Sequence, residues 1–169
     1  MRVTLGAGVP EPQTRSKMID FHQVVQTSDM TGEDEEEREL LNQMLEEASD
    51  YLTSFAWCEA ITESYVGIAI GGVVAVFLFR IRPARTDVDE WLWVIVGDLP
   101  TAYITTVGIP DPPSALKAYI TEMRRWVNAV TSGRPVSELI PVDVAPTPEN
   151  AELLAKRLRF LEDRILPLQ

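Results

Sequence analysis

Residues 73–82 read Val-Val-Ala-Val-Phe-Leu-Phe-Arg-Ile-Arg, with no polar side chain before Arg80. Successive side chains of a strand point to opposite faces, so a strand apolar on both parities must be covered on both. Such a segment belongs at the centre of a sheet with protein packed on either side. Residues 91–97, Trp-Leu-Trp-Val-Ile-Val-Gly, have the same character. Two strands of this kind in succession demand a layered fold and exclude a sheet with one wet face.

The neighbouring segments extend the sheet. Residues 59–70 mix β-branched and polar side chains, and Gly71-Gly72 after them is a two-residue hairpin signal. Asp98-Leu99-Pro100 turns the chain into a further short strand, residues 101–106. Short connections between consecutive strands imply an antiparallel meander of four strands.

Helices flank this block. In residues 32–55, Leu40, Leu41, Met44, Leu45, Ala48, Leu52 and Phe55 recur at three- and four-residue steps and form one apolar stripe. Thr31 and Asp34 have capping-box spacing at its start. A second helix opens near Pro113 or Ser114 and carries Leu116, Ile120, Met123, Val127 and Val130, with Gly133 as its stop. A third begins after Thr147-Pro148 and carries Leu154, Leu158, Leu161 and Ile165. The expected fold is therefore α+β: a four-stranded antiparallel meander with three main helices, in the order α-β-β-β-β-α-α. Residues 1–30, with Pro10 and Pro12 and no clear period, read as an extended or loosely ordered N-terminal arm before a single domain over 31–169.

Residues 64–79 are uncharged and followed by Arg80, Arg82 and Arg85. They are fewer than the roughly 20 a membrane helix needs, and Gly67, Gly71 and Gly72 interrupt them, so strand is the reading. The first ten residues lack the apolar core of a secretion signal, and Cys58 is the sole cysteine. Both point to a reducing, cytoplasmic setting.

The chain carries a net charge of −11. That argues against nucleic acid and anionic membrane as partners, since both need clustered Lys and Arg. Residues 33–50 hold nine acids and one base, Arg38. The leading run Glu33, Asp34, Glu35, Glu36 and Glu37 suits the first turns of a helix, where the dipole favours negative charge. It is also the candidate face for a basic protein partner.

Catalytic inventory is thin. His22 is the only histidine, so with one cysteine no His/Cys metal cluster can form within the chain. No Gly-x-Ser-x-Gly occurs, and Gly6-Ala7-Gly8 has neither a preceding strand nor a following helix. A Cys58–His22 dyad is conceivable, although a buried structural thiol accounts for Cys58 as well. No metal or cofactor is expected. Glu59, Glu63 and Tyr65 share a parity in a regular strand, and Arg80 and Trp91 lie across the sheet from them, which makes these five the candidate ligand-binding residues. Trp91, beside the charged loop 83–90, is the tryptophan expected at the surface. Asp98, at a strand end, reads as a turn cap or a site acid.

Two functions follow as expectations. The first is a non-enzymatic protein-interaction module of regulator, inhibitor or immunity type, homo-oligomeric and with a basic partner. The second is a small-molecule-binding domain or enzyme with its site over the sheet.

Overall fold

The computed structural model describes residues 19–169. A five-stranded sheet is the middle layer. Strand β1 is Val25–Gln26, β2 Cys58–Ile70, β3 Val74–Pro83, β4 Trp91–Gly97 and β5 Ala102–Thr105. They lie side by side in sequence order, and every neighbouring pair is antiparallel. Helix α1, Glu35–Thr53, covers one face; α2, Pro112–Thr131, and α3, Pro148–Phe160, cover the other. The fold is α+β, with one antiparallel sheet and three helices.

The sheet has five strands where the sequence reading has four, and the order is β-α-β-β-β-β-α-α. The extra strand comes from the N-terminal arm. Val25 and Gln26 pair with Val66 and Tyr65. Two residues are too few to show a period, so only the tertiary pairing defines them as strand. The rest of the arm's reading, including Pro10, Pro12 and the Gly6-Ala7-Gly8 triplet, lies outside the described residues.

The two-parity strands do what their composition requires. Ala75, Phe77, Phe79, Leu92, Val94 and Val96 pack under α1, against Leu41, Met44, Ala48 and Leu52. Val74, Val76, Leu78, Trp93 and Ile95 pack under α2 and α3, against Leu116, Tyr119, Met123, Leu154 and Leu158. Burying such side chains contributes roughly 1.5–3 kcal/mol each. The Trp93 indole N–H donates to the Ile109 carbonyl at 2.9 Å, so its polar atom is satisfied in the core.

Local chemistry sets the boundaries. Asp34, not Thr31, is the cap of α1: its carboxylate accepts from the Glu37 N–H at 2.8 Å, while Glu37 accepts in return from the Glu33 N–H at 2.7 Å. Asp111 caps α2 and Thr147 caps α3, each followed by proline. The β2–β3 hairpin turns on three residues rather than two: Ile70 pairs with Val74, and Gly72 takes a φ of +73°. Residues 64–79 therefore run out along β2 and back along β3. No described helix is long and apolar enough to cross a membrane.

Candidate functional site

The five ligand candidates divide. In the β2–β3 register Glu63 stands opposite Arg80, and in β3–β4 Arg80 stands opposite Trp91. Arg80 Nη1 reaches Glu63 Oε1 at 3.0 Å, and Nη2 reaches Glu90 Oε2 at 3.5 Å. The Tyr65 hydroxyl donates to Glu63 Oε2 at 3.0 Å. The guanidinium lies 5.8 Å from the Trp91 ring centre. Glu63, Tyr65, Arg80 and Trp91 thus meet. Glu59 does not join them, since it lies four residues along β2 from Glu63, about 13 Å in an extended strand. Glu59 is exposed at the far end of β2.

Trp91 is 7% exposed, not the surface tryptophan expected. The segment before β1 folds back over it, and the Phe21 ring meets Trp91 and Tyr65 edge-on at 5.3 and 5.5 Å. Burial and then the Glu63 carboxylate push the Tyr65 hydroxyl up, while hydrogen bonding to Glu63 holds the Arg80 guanidinium charged. The cluster is a clasp of one guanidinium between two carboxylates under an aromatic cap.

The remaining candidates are placed as follows. Cys58 is buried on the α1 side, where desolvation raises its thiol and keeps it protonated. Ile19 and Val24, which bracket His22, pack on the opposite side of the sheet. Of the acids 33–37, Asp34 and Glu37 serve the helix cap, Glu37 also takes the Gly71 N–H at 3.5 Å, and Glu35 pairs with Arg38. No described group of three or more His, Cys, Asp or Glu side chains is arranged to hold a metal ion.

A wider opening lies elsewhere. A cleft of about 1370 Å³ runs between α1, the β4–β5 turn, residues 138–144 and the start of α3. Its charged lining is Glu46, Glu47 and Asp50 from α1, Asp98 from the turn, Glu138 and Asp143 from the loop, and Arg157 from α3. Among the described residues the one cation in this lining is already matched, since Arg157 Nε lies 3.2 Å from Asp98 Oδ2. Asp98 is thus neither a lone site acid nor a simple cap. Thr101 donates to Glu47 at 2.9 Å, and the buried Tyr119 hydroxyl donates to the Pro100 carbonyl at 2.5 Å, which anchors the turn. Tyr51, Phe55 and Tyr103 form an aromatic wall, backed by Trp57 stacked on Phe55 at 4.8 Å. Desolvation pushes the Tyr51 hydroxyl up to about 12.

A second, mostly apolar hollow of about 450 Å³ continues the cleft at the same end of the sheet. The two share Asp98, Leu99, Leu153 and Arg157. Sequence reading missed this site because its acids come from three separate elements. One signal was present: Leu153 and Phe160 are large and apolar yet fall off the buried stripe of α3, and both are exposed.

Comparison with protein-family models, curated proteins and solved structures finds no match. The functional reading therefore rests on the chain's own geometry.

Proposed function

We propose that the protein is a non-enzymatic interaction module, of regulator, inhibitor or immunity type, and that its cleft seats a basic segment of a partner protein. One observation carries this: among the described residues, six carboxylates and a single, already paired arginine surround an opening with apolar and aromatic walls. Such a lining steers a cationic chain by its field and then holds it by apolar contact. The exposed acids at the start of α1 extend the negative surface along the same helix. The small-molecule reading would need the Glu63–Arg80 clasp to open and Phe21 to leave Trp91.

The test is a titration of a labelled peptide of lysine, arginine and leucine against a counterpart with glutamine at every cation. The basic peptide should bind at least about tenfold tighter at low salt, and a rise past about 0.3 M salt should remove most of that advantage. Glu46→Lys, Glu47→Lys and Asp50→Lys together should abolish it. Equal binding of the two peptides, or indifference to the triple substitution, would overturn the proposal.

A further inference from the structure

The acidic cleft and the apolar hollow share a wall of Asp98, Leu99, Leu153 and Arg157. Asp98 and Arg157 face each other at 3.2 and 3.4 Å across the shared wall. Their side chains are 72% and 41% exposed. An ion pair so exposed adds little to stability, so it opens at small cost. With it open, a single trench runs along the outer flank of α3, from the carboxylates of α1 to Phe160.

The floor of that trench has a pattern. Leu153 and Phe160 are 50% and 48% exposed, and they stand seven residues apart on α3, two turns along one side. Leu99 lies between the two openings and belongs to both. Helix α2 supports α3 on another side, and Arg124 ties to Glu162 through two hydrogen bonds, 3.1 Å in one and 2.5 Å in the other. Among the described residues nothing covers Leu153 and Phe160, so this flank resembles one side of a helix pair whose second member comes from elsewhere. Side chains at two-turn spacing receive a helix whose own apolar side chains recur at i, i+3, i+4 and i+7. An extended peptide repeats every second residue and does not match that spacing.

We infer, on the footing of the proposed basic partner, that the segment this trench takes is an amphipathic α-helix of another protein. Its apolar side packs on Leu153, Leu99 and Phe160, and its lysine or arginine side faces Glu46, Glu47 and Asp50. Asp98 exchanges Arg157 for a cation of the incoming helix, so the Asp98–Arg157 pair is a strap that the partner opens.

The experiment uses the full chain and three synthetic peptides of about 18 residues, long enough for five helical turns. All contain the same leucines and lysines, and the first two the same alanines. One is patterned with an apolar and a lysine face, one is scrambled, and one is the patterned peptide with a central proline. Affinity is read by anisotropy and bound helicity by circular dichroism. The patterned peptide should gain helix on binding and bind about tenfold tighter than either control. Phe160→Ser and Leu153→Ser, both at exposed positions, should each weaken it about three- to tenfold. Arg157→Gln should tighten it more than Lys156→Gln, which removes the same charge from the other cation lining the hollow and leaves the strap closed. Equal, salt-sensitive binding of all three peptides would overturn the helix while leaving the basic-partner reading intact. Equal effects of Arg157→Gln and Lys156→Gln would overturn the strap. No salt-sensitive binding of any peptide would defeat both.

Discussion

Gly97 closes β4 opposite Val74 and holds a φ of +148°. Alanine there meets two costs. The backbone region is nearly closed to L side chains, which costs about 1–3 kcal/mol. The new methyl would also sit against the Val73 carbonyl oxygen, 2.8 Å from its carbon and 2.9 Å from Val74 Cα. These are backbone atoms of a central hairpin that cannot swing aside, and overpacking of that kind costs about 1–3 kcal/mol more. Gly97→Ala should therefore lose about 4 kcal/mol, a large share of the 5–15 kcal/mol typical of a domain. At roughly 2–4 °C per kcal/mol for a chain of this size, Tm should fall by about 10 °C. Gly108→Ala is the matched control, because Gly108 also has positive φ, +73°, with no atom within 4 Å of the new methyl. It should lose only about 1 kcal/mol. Thermal unfolding by circular dichroism, with urea titration for the free energy, reads both. If the two substitutions cost the same, the steric half of the reasoning fails. The clash has a functional side as well, since the same Val73 carbonyl accepts the Asp98 N–H at 3.1 Å and so helps place the strap acid.

Phe21→Ala should cost about 1–2 kcal/mol and shift tryptophan emission to the red, because Trp91 loses its aromatic cover; an unchanged spectrum would refute the cap. Asp111→Ala removes the acceptor that holds the Ser114 N–H at 2.8 Å and should cost about 1 kcal/mol, read as a Tm lower by a few degrees. Burial raises the Tyr51 hydroxyl from an ordinary 10.0 to about 12, so above pH 10 the unfolded chain gives up a proton that the folded chain keeps. That contribution is intact below pH 10 and is lost as pH rises toward 12; Tyr51→Phe should flatten the decline, and a flat profile in the parent protein would refute it.

Much of the architecture was legible because it follows from local rules. A strand apolar on both parities needs cover on both faces, and β3 and β4 have it. The cap of α3 at Thr147 and its buried leucines follow from proline chemistry and helical period, whereas α2 opens at Pro112 behind Asp111 and not at Pro113 or Ser114. Arg80, Glu59 and Glu63 were visible as candidates, but that Arg80 meets Glu63 and Glu90 and not Glu59 depends on the register between strands, which a pattern of polar and apolar letters does not carry. The acids of residues 33–37 were visible as a cluster, yet two of them are engaged in closing the helix end.

The sequence by itself determined the layered α+β plan, the three helices, the four longer strands and the surplus of negative charge, because each depends on neighbours within one or two turns of chain. Only the tertiary structure decided that two residues of the arm form a fifth strand, that Phe21 buries Trp91, and that acids from α1, the β4–β5 turn and residues 138–144 converge on one cleft. Those outcomes depend on contacts between segments far apart in the chain, whose meeting is set by how the layers close and not by any local spacing.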